Sequence, residues 1–339
     1  MKNNSFALKI ILLLAGAWLA SCGGRPKAPD ISGVKLDLDL RRFDQDLFAL
    51  KKDSVTWEAI QKLQSKYPDF LPVYFERIAN ITPVKDPSSA PFIRDFLFDV
   101  DVTAIYDEVQ KQYANTQGLK DELTQAFRYY RYYFPKNYVP SVITYVFGFN
   151  YAVVATDSAL CVALDQYLGK DFVYYAHLEQ YIRYRKAPAY LVPDALRGWA
   201  TTEFESPQPR TDLLDEMIFQ GKIQYFLEKV MPFTHDTITM GYTAAQMKFC
   251  ENNEYQIWSY FVENKLLYSK DFMVVAKYCG EAPFSSGMPK ESPGRTGIWT
   301  GWQIVRSYMK RNKKVTLEQL MNNHNYKQIL ELSRYKPKR

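Results

Sequence analysis

The chain has 339 residues, 47% of them apolar and 24% charged, a globular composition rather than a disordered or fibrous one. Four cysteines are too few for a disulfide scaffold, and three scattered histidines exclude an ordinary multi-histidine metal centre. The net charge of +6 is mild, and apart from the C-terminal Arg334, Lys336, Lys338 and Arg339 the basic residues are interleaved with acids, so no nucleic-acid-binding stripe results.

Lys2 and Lys9 open the chain, and an apolar run follows from Ile10 to Ala20. A membrane-spanning helix needs about 20 such residues, so the run reads as the core of a signal peptide. It ends in Leu19-Ala20-Ser21-Cys22, which resembles a bacterial lipobox. That resemblance implies a signal peptide over 1–21, cleavage before Cys22 and a lipid on its thiol that holds the protein to a membrane. Residues 22–33 are rich in Gly and Pro and poor in apolar side chains, as suits a flexible lipid-anchored tether. Of the other cysteines, Cys161 lies in an apolar run and reads as a small core residue. Whether Cys250 and Cys279 pair stays open at this level.

Val34 to Leu40 alternates apolar and polar residues, the pattern of a half-buried strand. Phe43 to Leu50 forms a short helix. Ser54 caps another that runs to about Tyr67 before Pro68. Ile93, Phe96, Leu97 and Val100 keep helical spacing, and two longer helices cover 101–113 and 119–134. The texture then changes: Val142 to Phe147 is rich in β-branched and aromatic residues, and the apolar runs Tyr151 to Thr156 and Ala159 to Leu164 follow as strands, with Asp157-Ser158 as a hairpin turn. Helices return over roughly 172–185, 190–204, 211–229, 243–264, 297–310 and 315–332. The fold class is α+β, mostly helical with a small central sheet, in one unit over 34–339.

Several stretches resemble the gliding motility lipoprotein GldB family of Bacteroidota. They are Arg42-Phe-Asp-Gln-Asp-Leu-Phe48, Tyr132-Tyr-Phe-Pro135, Asp165-Gln-Tyr-Leu-Gly-Lys-Asp171, Tyr190-Leu-Val-Pro-Asp194, the segment from Gln256 to Ser269, and that from Glu291 to Tyr308. They run in order along nearly all of the chain after Cys22. The resemblance implies an envelope lipoprotein with protein partners in gliding or related export machinery. Surface display in those bacteria is marked by an acidic cluster after the lipidated Cys. Here Gly-Gly-Arg-Pro-Lys follows, which implies a periplasm-facing position.

That family is distantly similar to predicted zinc-dependent proteases of the YjaZ type, so the resemblance also implies a zincin-like scaffold. Those proteases carry His-Glu-x-x-His on one helix and a third ligand, Glu before Gly, on the next. Ligands at i and i+4 share a helix face, and the intervening Glu activates the metal-bound water. The corresponding helix here places Arg197, Gly198 and Thr201 at the motif, and Gln220 precedes Gly221 where the Glu would stand. A guanidinium has no lone pair to give a metal. The expectation is therefore a degenerate metallopeptidase scaffold with no metal, no cofactor and no catalytic residue, and Arg197, Thr201 and Gln220 lining a vestigial cleft.

Glu291-Ser-Pro-Gly-Arg295 makes a turn into a helix, where Arg295 and the first amides suit an anion unless Glu291 or another acid satisfies that arginine internally. Leu214, Ile218, Gly221 and Tyr225 form a core stripe, and Trp299 and Trp302 share a buried face. No Gly-x-Ser-x-Gly elbow and no phosphate-cradling loop occurs. The preferred reading is a non-catalytic lipoprotein. A hydrolase with an unusual site would bring Arg197, Gln220 and the Asp157 region together, and a peptide or glycan binder would use an aromatic-rich cleft.

Overall fold

A computed structural model of the chain describes residues 28–50, 52–81, 83–147, 149 and 151–339. The signal peptide and Cys22 lie outside the described residues. Residues Ile31–Arg339 form one compact unit.

Strands β1 (Leu40–Arg42), β2 (Ser141–Tyr145), β3 (Val153–Ala155) and β4 (Ala159–Ala163) make a mixed sheet in the order β1-β2-β4-β3. β1 runs parallel to β2 (Leu40 opposite Val142) and β2 parallel to β4 (Ile143 opposite Cys161), while β3 and β4 form the expected antiparallel hairpin. Every residue of β4, Ala-Leu-Cys-Val-Ala, is buried, as a continuous apolar run between two neighbours requires. The strand expected over 34–40 joins the ladder only at Leu40. Its side chains do alternate, with Leu38 buried, but the guanidinium of Arg128 takes the Ile31 and Val34 carbonyls, both at 2.7 Å, where a strand neighbour would.

Helices α1 (Phe43–Phe48), α2 (Trp57–Lys66), α3 (Phe70–Val73) and α4 (Ser89–Leu97) cover one side of the sheet. Their cluster centres on Phe43, whose ring meets Tyr67, Phe70 and Tyr74 edge-on at 5.0, 5.1 and 4.9 Å. Thr56 caps α2 by accepting from the Ala59 amide at 3.3 Å; Ser54 instead ends a separate 3-10 turn. α5 (Val100–Tyr113) and α6 (Gln117–Tyr133) follow. The Tyr-rich end of α6 divides as helix periodicity requires, Tyr129 and Tyr130 inward and Tyr132 outward.

The helix expected over 172–185 is reduced to a 3-10 turn at Val173–Tyr175 and the single turn α7 (Gln180–Arg183). The Tyr175 hydroxyl donates to the Asp165 carbonyl, and this tie to the end of the sheet overrides helical continuation. Next come α8 (Leu191–Glu203), α9 (Leu213–Val230) and the short α10 (Asp236–Met240), which closes on Gly241 at φ 70°. The segment 243–264 is two helices, α11 (Ala244–Asn252) and α12 (Glu254–Glu263), broken at Asn253. α13 (Phe272–Cys279), unpredicted, precedes α14 (Thr296–Arg311). The final segment also splits, into α15 (Leu317–Met321) and α16 (Tyr326–Ser333), because Asn325 turns its side chain to cap the second at the Gln328 amide, 3.0 Å away. No helix among the described residues is long and apolar enough to cross a membrane.

α9 is buried on nearly all sides, and α14 lies directly against it. Gly221 and Gly301 are the contact: a Cβ on Gly221 would strike the Gly301 carbonyl, and one on Gly301 would strike the carbonyl of Met217. Both obstacles are backbone and cannot yield. The expected core stripe of Leu214, Ile218, Gly221 and Tyr225 and the Trp299 and Trp302 pair all lie here, buried. Lys222, fully buried beside that contact, donates to the Met321 and Asn323 carbonyls at 2.9 Å each and so ties down α15. Burial, and then the Arg210 charge, lower its pKa to about 7.

Gly301→Ala should therefore cost about 3 kcal/mol or more in urea unfolding, at the upper end of overpacking effects. Gly118→Ala, on α6 with open space around it, should be neutral or stabilising by up to about 1 kcal/mol. Equal effects of the two would refute the backbone-contact account. For Lys222 the folded pKa lies below the unfolded value of about 10.4, so the unfolded chain binds the extra proton between about pH 7 and 10.4 and stability rises with pH there. Urea midpoints of wild type relative to Lys222→Met should climb across that window; a flat or falling difference would contradict it.

Candidate functional site

α8 carries Arg197 between two tightly packed neighbours. Gly198 lies against edge strand β3, so close that a Cβ would come within 2.6 Å of Val153 Cγ1. Arg197 reaches away from the sheet, where its Nη2 donates to Gln224 Oε1 on α9 at 2.9 Å and to the Thr239 carbonyl on α10. Gln224 in turn donates to the Thr239 hydroxyl at 2.9 Å. Burial first, then the nearby Arg185 charge, lower the Arg197 pKa to about 10, so the guanidinium stays protonated at neutral pH.

Thr201 and Gln220 do not join this arrangement. The Thr201 hydroxyl turns back to the Arg197 carbonyl at 2.8 Å, and Gln220 donates along its own helix to Glu216 at 2.8 Å. α9 meets Arg197 at Gln224, one turn beyond the expected Gln220. Asp157 sits exposed in the β3–β4 turn, and no hydrogen bond or ion pair among the described residues links it to Arg197 or Gln220. The convergence a hydrolase would need is absent at these three positions.

Arg295 occupies the left-handed region (φ 58°) just before α14 and is 7% exposed. Its Nη2 donates to the Met240 and Gly241 carbonyls at 2.8 and 3.3 Å, and its Nε faces Glu281 Oε2 at 3.5 Å. Glu291, the acid expected to satisfy it, is exposed and makes no ion pair among the described residues; Glu281, outside every predicted element, takes that role. Glu281 also pairs with Arg185 at 2.5 Å, and Arg185 pairs with Asp194 of α8 at 2.7 Å. The sequence-level signal for this network was slight: Asp194 lay in a quoted motif, but Arg185 and Glu281 stand in loops without periodicity.

Arg185, Arg197 and Arg295 thus share a neighbourhood with two carboxylates, Asp194 and Glu281. Burial would raise the Glu281 carboxyl, but Arg295 and then Arg185 outweigh it and hold it below its ordinary value. Burial lowers Arg185, and the Asp194 and Glu281 charges reverse this and leave it raised. Arg295 is lowered, by burial and then by Arg185. A cavity of about 390 Å³ opens beside them, lined by Arg185 and Arg295 with Tyr184, Thr243, Gln246 and Glu281. Gly241 makes the two guanidiniums' approach possible. A Cβ there would lie 2.8 Å from Arg185 Nε and 3.2 Å from Arg295 Nη2, in addition to its positive φ.

The guanidiniums can bind anions: they donate hydrogen bonds and offer no lone pair to a metal. Arg197 therefore cannot serve as a zinc ligand. Among the described residues, no group of three or more His, Cys, Asp and Glu is placed to hold a metal ion. Cys161, Cys250 and Cys279 are free, so Cys250 and Cys279 do not pair.

The structure thus defines a mostly helical α+β protein with a guanidinium-lined cleft. The particular family is given by comparison: a family model described as gliding motility protein GldB matches residues 24–337, and the chain belongs to that family. Membership points to a gliding-motility-related lipoprotein associated with the cell envelope. No curated protein and no solved structure matches the chain.

Gly241→Ala should lower the unfolding free energy by about 1–3 kcal/mol through lost backbone freedom and displaced arginines. Thermal melts followed by circular dichroism measure this, and an unchanged melting temperature would contradict the packing described.

Proposed function

We propose that this protein is a non-catalytic, lipid-anchored, periplasm-facing member of its family that works as a protein-interaction component of gliding or related envelope machinery. Its scaffold is read as a zincin-like one whose metal positions have been given over to hydrogen-bond donors. The observation that carries this is Arg197. By the resemblance, a metal ligand would be needed at this position, and the protonated guanidinium there is fixed to Gln224 and Thr239. That replaces a lone-pair donor by a cation, which repels the metal as well as failing to hold it. The lipid on Cys22 supplies the membrane attachment, and partners are other envelope proteins.

Two measurements on the purified lipoprotein test this. Elemental analysis should find no stoichiometric zinc, and peptide cleavage should be absent with or without chelator. About one zinc per chain, with chelator-sensitive cleavage, would overturn the non-catalytic reading. In native envelopes, a photocrosslinker placed at Tyr184 on the cleft rim should capture discrete protein partners, whereas one at Lys62 on exposed α2 should not. Capture of none from either position would remove the interaction reading.

A further inference from the structure

The guanidinium pair beside the 390 Å³ cavity is incompletely used by the chain itself. Arg295 spends Nη2 on two carbonyls and holds Glu281 only at 3.5 Å through Nε, which leaves its Nη1 without a hydrogen-bond partner among the described residues. Glu281 bridges both arginines yet is 50% exposed, whereas the Arg185 and Arg295 side chains beneath it are 18% and 8% exposed. A rim carboxylate therefore covers a buried cationic floor and can swing into solvent at little steric cost. Tyr184 stands in the wall of this cavity and also in that of a second, broader groove of about 1140 Å³, which Phe172, Tyr174 and Tyr190 line.

We propose that this cavity recognises a carboxylate at the end, or on a side chain, of an extended peptide from a partner protein. The carboxylate takes the fork of Arg185 and Arg295 that Glu281 now covers, and the peptide runs past Tyr184 into the aromatic groove. Charge selects the ligand. With Glu281 displaced, Asp194 opposes Arg185, Arg197 and Arg295, so the site favours an anion. The planar carboxylate also matches guanidinium donors in geometry. Thr243 and Gln246 on the wall use their side-chain oxygens as acceptors in the capping box of α11, and the Thr243 hydroxyl and Gln246 Nε2 are the donors left for the peptide backbone. Glu281 acts as an internal competitor, so free ligand must displace it. This inference names the partner chemistry of the interaction reading above and rests on it.

The test uses the full-length lipoprotein in detergent and fluorescein-labelled, aromatic-rich hexapeptides read by fluorescence anisotropy. One has a free C-terminal carboxylate, a second is its amide, and a third is the amide with one internal Glu; inorganic phosphate is the competitor. A carboxylate-bearing peptide should bind saturably and the plain amide at least about tenfold more weakly, the worth of a charge-assisted contact. Whichever of the free acid and the Glu peptide binds better identifies the source of the carboxylate. Arg295→Gln should weaken binding by about tenfold or more, and Glu281→Gln, which removes the competitor, should tighten it several-fold. The second variant keeps the test decisive if the first fails to fold, because a merely structural Glu281 would give no gain. Equal binding of acid and plain amide, displacement by phosphate at equimolar ratio, or weaker binding in Glu281→Gln would overturn the proposal. If these fail while Tyr184 still captures partners in envelopes, only the carboxylate assignment falls.

Discussion

The crossing of α9 and α14 at Gly221 and Gly301 is the constraint on which the C-terminal half depends. Two helix backbones touch there with no side chain between them. Everything mounted on either helix is thereby set relative to the other. Glu228 on α9 accepts from Trp302 Nε1 at 3.2 Å and from Arg306 at 2.8 Å on α14, and Arg306 stacks on the Trp302 ring at 3.6 Å. At the same crossing, α9 presents Gln224 toward α8 and α10, while the start of α14 presents Arg295 toward Gly241. The guanidinium cluster thus descends from a glycine contact that itself carries no chemistry. Wider helix separation would pull Arg295 away from Arg185 and open the cleft.

Buried charge of this kind is costly to maintain. Ions removed from water lose several kcal/mol of hydration each, and a well-packed apolar substitute is often as stable or more so. Stability alone is thus a weak reason for three arginines to meet in one place. The arrangement keeps its cost low in two ways. Each arginine is anchored to a carbonyl, amide or carboxylate acceptor, and Glu281 reaches in from the rim to balance the pair nearest the cavity. The pair Arg185 and Arg295 borders open space rather than packed core.

Much of the fold was legible because it obeys local rules. Strand β2 announced itself by β-branched and aromatic composition, β4 by its apolar run, the hairpin by Asp157-Ser158, and α8, α9 and α14 by helical spacing of apolar residues. Failures came where tertiary contacts override the local pattern. Residues 34–39 alternate like a strand, but an arginine from α6 takes their carbonyls. Residues 172–185 are tied by Tyr175 to the sheet end. The candidate site was half legible. Arg197 and Arg295 were visible through motif position and turn chemistry. Gln224 and Glu281 were not, since choosing between Gln220 and Gln224, or between Glu291 and Glu281, needs the rotation of one helix about another, which no single sequence encodes locally.

On the reading proposed here, arginine stands where a relative would hold metal ligands, and this has a further physical consequence. A zinc site and a guanidinium site both place positive charge in a cleft, but they serve opposite chemistry. Zinc accepts electron pairs and polarises what it binds, so a bound carbonyl becomes easier to attack. A guanidinium donates hydrogen bonds in a fixed plane and holds a carboxylate without activating it. A peptidase cleft that recognises the acidic product end of a cleaved chain would need little remodelling to recognise such an end on an intact partner. On the reading proposed here, the loss of turnover and the gain of retention are one change, made at Arg197 and supported by Arg185 and Arg295.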